Sequence, residues 1–335
     1  MRVGRGLMRQ IPITSIEEAS RTVYEAAVRT PLVRLELPFA TGDQAPPEIY
    51  LKLESLQPIG SFKIRGAWNA VRALSREQLQ GGVWTVSAGN AAQGVAFAAR
   101  QAGAPCSVMV MDTAPQTKID SIHRLGARIV RATYDEAWRT VEQHRSDRME
   151  GTFVHPFDDD RFIAGNGTAG LEILEDLPDL DAVIAPLGGG GLLAGIGAVM
   201  RARKPSVKVY AAEPETAAPL ATSIARGRAS YFENWQASFV DGAGGKSVLP
   251  TMWPLLHECV DESIVVSLDE VAAAMRRTAE RVHVIAEGAA ACAVAAALSG
   301  RAGGGKIVAV VSGGNIDLAR FASLVGACVD KTVLS

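Results

Sequence analysis

The chain has 335 residues, enough for one large or two medium domains, and its 34 basic and 36 acidic side chains leave a net charge of −2. That balance gives no basis for nucleic acid or an anionic membrane surface as a partner, and no apolar run is long enough to span a bilayer. A hydrophobic share of 48% is that of an ordinary globular protein.

Residues 1–8 carry charge without a following apolar stretch, so they read as a frayed tail rather than a secretory signal. Ser15-Ile16-Glu17-Glu18 has the capping-box pattern and predicts the start of the first helix. Short β-branched runs at 49–53, 83–86, 107–111, 128–130, 152–154, 182–185, 207–211, 264–266 and 307–311 predict strands. Helical patterns fall between them, at 93–102, 117–125, 134–145 and 192–203. This alternation predicts an α/β protein with parallel sheets covered on both faces. No repeat or low-complexity linker marks a domain boundary. Cys106, Cys259, Cys292 and Cys328 lack metal or redox spacing; Cys106 and Cys292 fall in apolar elements and read as buried, which fits a reducing, cytoplasmic compartment. The five histidines are scattered and give no support to a metal hydrolase, so no metal site is expected.

Four segments carry chemistry. In Ser61-Phe62-Lys63-Ile64-Arg65-Gly66, Lys63 sits in the first turn of a helix that Ser61 would cap. Such lysines are usually on the surface, but Pro58, Ile59, Gly60 and Phe62 are apolar or small and predict a buried helix start. A desolvated lysine has a lowered pKa, and its neutral amine can attack a carbonyl or abstract a proton. The other three segments are small-residue turns after strands: Ser87-Ala88-Gly89-Asn90, then Gly188-Gly189-Gly190-Gly191, then Ser312-Gly313-Gly314-Asn315. The tetraglycine precedes a helix that starts near Leu192, where backbone N–H groups can bind phosphate, although a plain tight turn has the same pattern. Gly189, Gly191 and Ala194 also match G-x-G-x-x-A, and Glu213 lies about 20 residues on, as in a dinucleotide site. Asn90 reads equally as a helix N-cap, Glu287 as a dipole-favoured helix start, and Glu213 as a strand-end surface charge.

Together and in this order, the lysine segment and the three turns resemble the serine/threonine dehydratase and serine racemase family of fold-type II pyridoxal-phosphate enzymes, from about residue 14 to about residue 322. The resemblance implies a tryptophan synthase β-like α/β fold. Two open parallel-sheet domains would hold pyridoxal 5'-phosphate between them: a large one (1–80 plus 161–335) and a small one (81–160). It implies that Lys63 binds the cofactor covalently and then acts as base on the substrate α-carbon, with Phe62 beside the ring. Gly188, Gly189, Gly190, Gly191 and Leu192 would cradle the phosphate, Asn90 would meet the ring oxygen, Ser312 the pyridine nitrogen, and Glu287 would lie near the cofactor. Ser87, Ala88, Gly89, Asn90 and Ala91 would hold the substrate, with Ser87 and the loop N–H groups on its carboxylate. A neutral serine at the pyridine nitrogen makes a weaker electron sink than a carboxylate, which suits β-elimination.

Two positions depart from the family pattern. Ala91 replaces a histidine, which implies room for a bulkier, even aromatic, β-substituent such as that of phenylserine. Ala88 replaces the second serine of the racemases, which implies slow racemisation. Glu213 matches a carboxylate ligand of a divalent cation in some relatives, but Pro219 stands where another acidic ligand is expected. The chain also ends soon after the Ser312 turn, so a C-terminal regulatory domain is not expected. The activity implied is dehydration of an L-3-hydroxy amino acid to a 2-keto acid and ammonia, by a cytoplasmic homodimer whose partner is its small-molecule substrate. A β-replacement synthase, a nicotinamide-dependent oxidoreductase and a non-catalytic cofactor-binding protein are the alternatives.

Overall fold

The computed structural model describes residues 9–37 and 47–327, so the tail at 1–8 and Cys328 lie outside the described residues. Among the described residues ten strands are formed: β1 Leu32–Leu35, β2 Glu48–Lys52, β3 Val83–Val86, β4 Cys106–Met111, β5 Arg128–Ala132, β6 Thr152–Phe153, β7 Ala182–Pro186, β8 Lys208–Pro214, β9 Glu262–Val266 and β10 Lys306–Val310. They make a six-stranded sheet in the order β1-β2-β10-β7-β8-β9 and a four-stranded sheet in the order β5-β4-β3-β6. Every pairing is parallel except β1 with β2.

The central strands are mostly apolar because both faces of each sheet are covered there. Every residue of β3 and of β7 is buried. Alternation along β10 shows the two layers: Val308 and Val310 join the core with helices Asp160–Asp176 and Gly191–Arg203, while Ile307 and Ala309 join helix Gly288–Leu298. Ten consecutive residues of that last helix, 288–297, are buried, and their small side chains let it lie close on the sheet. Helix Lys63–Arg72 packs against helix Asn90–Gln101 and joins the two sheets.

Several local expectations are corrected. The first helix is Ile13–Ser20 with Pro12 as N-cap, so Ser15 lies within it, its N–H donating to the Pro12 carbonyl at 3.1 Å, and no capping box forms. Proline, which fits a helix start because it lacks the N–H that would go unpaired there, wins over the Ser15 signal. Helix Lys63–Arg72 takes Phe62 as N-cap, and the buried Ser61 hydroxyl has no partner, so Ser61 does not cap. Strand β1 had no counterpart in the expected elements. Cys106 is half-buried rather than buried, its thiol pushed up to about 12 by desolvation. Cys259 and Cys292 are buried, and these three thiols are unpaired. Among the described residues no helix is long and apolar enough to cross a membrane.

A buried ion cluster anchors the helix that begins at Lys63. Arg65 grips Glu54 through Nε at 2.7 Å and Nη2 at 2.8 Å, and Glu172 at 2.7 and 3.0 Å. Lys52 Nζ reaches Glu172 at 2.6 Å and donates to the Thr30 carbonyl at 2.7 Å. All four charged side chains are at most 1% exposed. Burial raises the Glu172 pKa, but Arg65 and Lys52 outweigh it and hold the carboxyl below the usual range. A depressed carboxylate contributes stability that is present at neutral pH and is lost only as pH falls through the folded-state value. At pH 7, Glu172→Gln leaves two buried cations undercompensated and costs about 3–5 kcal/mol. Urea unfolding of variant and parent checks this; equal midpoints at equal slopes refute it.

Candidate active site

Each of the three turns follows the C-terminal end of a parallel strand: 87–90 follows β3, 188–191 follows β7 and 312–315 lies just beyond β10. Open α/β sheets place ligands at those ends, because helices start there with unpaired N–H groups. The Lys63 segment meets the third turn directly. Ser61 forms an antiparallel bridge with Gly313, and the Phe62 N–H donates to the Ser312 carbonyl at 3.0 Å.

Lys63 Nζ donates to the Pro156 carbonyl at 2.6 Å and lies 5.2 Å and 5.3 Å from the ring centroids of Phe62 and Phe162. Among the described residues no carboxylate pairs with it, and desolvation pushes its pKa down to about 8. Lys63 as a residue is half-buried rather than buried, although its amine is desolvated.

The tetraglycine turn has no room for side chains. A Cβ on Gly189 would lie 2.0 Å from Phe157 Cγ; one on Gly188 would lie 2.7 Å from the Gly242 carbonyl, and one on Gly191 2.8 Å from the Phe157 carbonyl. Gly190 has φ +92° and is the N-cap of helix Gly191–Arg203. The N–H groups of residues 188–192 donate to no other described residue. A cradle of unpaired N–H groups at a helix start, shaped by absent side chains, fits a phosphate monoester. Leu192 is buried in the core, so only its backbone N–H is available to that cradle.

Asn90 is the first residue of its helix, with Gly89 as N-cap, so it is free of the capping role. Its Nδ2 donates to Glu287 Oε1 at 2.7 Å, and its Oδ1 accepts from Asn315 Nδ2 at 2.8 Å. Asn315 Nδ2 also donates to the Ile59 carbonyl at 2.8 Å. Glu287 is the N-cap of helix Gly288–Leu298 but makes no capping bond; burial and then the nearby Asp241 push its pKa up to about 7. A Cβ on Gly313 would lie 2.6 Å from Glu287 Oε1 and 3.1 Å from Asn90 Nδ2, which brings the first turn, the third turn and Glu287 to one point. Ser87, Ala88 and Gly89 are half-buried, with the Gly89 N–H donating to Ser87 Oγ at 3.1 Å, and Ala91 is buried.

Sequence reasoning missed Asn315, Pro156 and Phe157. Asn315 was visible as the end of the third turn; the other two follow strand β6 in a loop with no glycine signal.

Glu213 is fully buried and not a surface charge. Its oxygens accept the Leu220 and Ala221 N–H groups at 2.8 Å each, and Oε2 also accepts the Ser263 hydroxyl at 2.5 Å. Burial pushes its pKa up to about 7. It serves the start of helix Pro219–Arg226 and cannot reach a ribose, so the dinucleotide alternative fails. The histidines are not all scattered either: ligand atoms of His144, His155 and Asp158 lie within 4.8 Å of one another. That group is already committed, however. Both His155 nitrogens bond backbone groups, and Asp158 pairs with Arg9 and Thr251.

Comparison with known proteins agrees with this geometry. Residues 23–313 match the family model described as pyridoxal-phosphate dependent enzyme. The chain is similar to an L-threonine ammonia-lyase of Thermotoga maritima, 41% identical over 312 residues that cover 92% of this chain and 76% of that one. Among solved structures it is similar to the processed form of threonine deaminase isoform 2 from Solanum lycopersicum, with TM-score 0.82 and 31% identity over 98% of this chain and 99% of that chain. It is also similar to maize serine racemase, with TM-score 0.83 and 31% identity over 94% and 97% of the two chains. A desolvated lysine, a glycine cradle for phosphate and a match across nearly the whole chain agree: the chain belongs to the pyridoxal-phosphate dependent enzymes, with the fold-type II architecture.

Proposed function

We propose that the protein is an ammonia-lyase that removes water from an L-3-hydroxy amino acid, giving a 2-keto acid and ammonia. The observation that carries this reading is the desolvated Lys63 amine, which no carboxylate pairs among the described residues, in a segment bridged to the turn beyond β10 that carries the neutral Ser312 hydroxyl. Similarity to threonine ammonia-lyases supports it. In the division of the chain that goes with this reading, residues 1–80 with 161–335 form the larger domain and 81–160 the smaller.

When bound, pyridoxal 5'-phosphate supplies an electron-withdrawing ring for the electrons of the substrate Cα–H bond. The N–H groups of Gly188 through Leu192 would hold its phosphate, Asn90, Glu287 and Phe62 would border its ring, and Ser312 would offer a hydroxyl to its nitrogen. The Ser87 hydroxyl and the N–H groups of Ala88 to Ala91 hold the substrate carboxylate, which turns the Cα–H bond toward Lys63. Lys63 Nζ takes the α-proton, and the β-hydroxyl leaves with a proton as water. The released enamine takes up water and loses ammonia. Ala88 carries no acid for the opposite substrate face, so racemisation is slow. The small side chain at Ala91, where relatives carry a histidine, leaves space that suits an aromatic β-substituent. We place the enzyme in the cytoplasm, in keeping with its free thiols, and expect a homodimer from the family resemblance.

Cofactor-loaded protein releases 2-keto acid from at least one of L-serine, L-threonine and L-threo-phenylserine; silence with all three overturns the assignment. Lys63→Ala lowers kcat by at least about 10³-fold, near the upper range for a general base. Ala91→His cuts kcat/KM for phenylserine about tenfold or more against threonine, and an unchanged ratio removes the argument for aromatic substrates. Because the neutral amine grows as pH rises through about 8, cofactor uptake by apoprotein climbs across pH 7–9 and then levels. A midpoint near the ordinary lysine value would contradict the desolvation argument.

A further inference from the structure

The loop after β6 carries two groups of the site, the Pro156 carbonyl on Lys63 and the Phe157 ring on Gly189. It has no regular secondary structure to hold it. It is held instead by side chains at both ends. His155 is 2% exposed, and its Nδ1 accepts the Asp158 N–H at 2.7 Å and the Phe157 N–H at 3.2 Å. Its Nε2 lies 3.2 Å from the Val141 carbonyl. A carbonyl only accepts and a backbone N–H only donates, so these partners require the proton on Nε2 and a lone pair on Nδ1. At the far end, Asp158 pairs with Arg9 through one oxygen and accepts the Thr251 hydroxyl at 2.6 Å through the other.

The link to Lys63 runs through one peptide plane. The carbonyl that Lys63 uses and the N–H that His155 uses belong to the same unit, Pro156–Phe157. In a trans peptide the C=O and N–H point in opposite directions and cannot turn independently. Fixing the N–H on Nδ1 therefore aims the carbonyl at Nζ. Pro156 helps by restricting its own φ and by offering no N–H to compete for Nδ1. Lys63 needs such a guide: it has four rotatable bonds, and among the described residues the Pro156 carbonyl is its one hydrogen-bond acceptor.

We propose that His155 is a positioning residue, whose neutral Nε2–H tautomer orients the Pro156–Phe157 peptide so that its carbonyl holds the Lys63 amine ready for reaction. This holds whichever hydroxy amino acid is the substrate. The ring stays neutral because burial, and then His144, push its pKa down to about 3.

The test measures how fast apoprotein takes up pyridoxal 5'-phosphate, read from the absorbance of the bound cofactor at fixed pH, in the parent, His155→Leu and His155→Asn. Asparagine places Oδ1 close to where Nδ1 sits and restores the acceptor; leucine does not. His155→Leu is expected to slow uptake roughly tenfold, the worth of one oriented hydrogen bond, and His155→Asn to recover to within about threefold of the parent. Parent-like uptake by the leucine variant, or no recovery with asparagine, overturns the proposal. Should the leucine variant fail to fold, ring-nitrogen NMR of histidine-labelled parent apoprotein decides. An Nε2–H tautomer for His155, unchanged between pH 6 and pH 9, supports the assignment; an Nδ1–H tautomer or an imidazolium overturns it.

Discussion

Two cations on one helix turn meet opposite fates, and the contrast organises the molecule. Arg65 is buried with two carboxylates and stays charged. Lys63, two residues earlier, is desolvated without any carboxylate among the described residues, and its pKa falls to about 8. The Arg65 cluster ties together β2 through Lys52, the turn through Glu54, helix Lys63–Arg72 and helix Asp160–Asp176 through Glu172. Burying ions is costly unless their geometry is satisfied. Here Thr30, Thr168, Tyr24 and Gln57 complete the hydrogen bonds. The cluster fixes the helix start, and the helix start decides which dielectric Lys63 occupies.

Topology then brings the remaining parts to that amine. In the six-stranded sheet β10 lies between β2 and β7, so the turn after β10 sits beside the segment leading to Lys63 and near the tetraglycine turn. The smaller sheet presents its own strand end, β3, with the Ser87–Asn90 turn. All three turns come from C-terminal strand ends, where helix N–H groups are unpaired, so the site is rich in donors before any side chain is considered. That suits a ligand with a phosphate and a carboxylate.

Much of this was legible because strands buried on both faces read as β-branched runs, and glycine turns between strand and helix stand out. Val83–Val86 appears in the structure with the expected bounds, and most other strands shift by one to three residues at an end. What failed to show depended on partners distant in sequence. Ser15 and Ser61 carry cap signals that lost to Pro12 and to the tight bridge with Gly313. Glu213 reads as a strand-end charge until helix Pro219–Arg226 needs an acceptor for its first N–H groups. His155 gives no local signal at all; its role arises from backbone groups within three residues of it and from Val141 across the loop.

The polarity of the amide chain at the third turn gives the site a direction. The Ile59 carbonyl can only accept, so the atom of Asn315 that faces it is the NH2 group, and the same group faces Asn90. Asn90 must then accept through Oδ1 and donate through Nδ2, and its donor lands on Glu287. That one donor opposes the burial and the Asp241 charge that raise the Glu287 pKa to about 7. Glu287, partly protonated near pH 7, and the neutral Ser312 hydroxyl therefore put less than a full negative charge at this point. A strongly anionic lining would deepen the electron sink of a bound pyridine ring and favour long-lived carbanion chemistry. A weakly charged lining supports the proposed elimination, in which the electrons released at Cα depart with the β-hydroxyl.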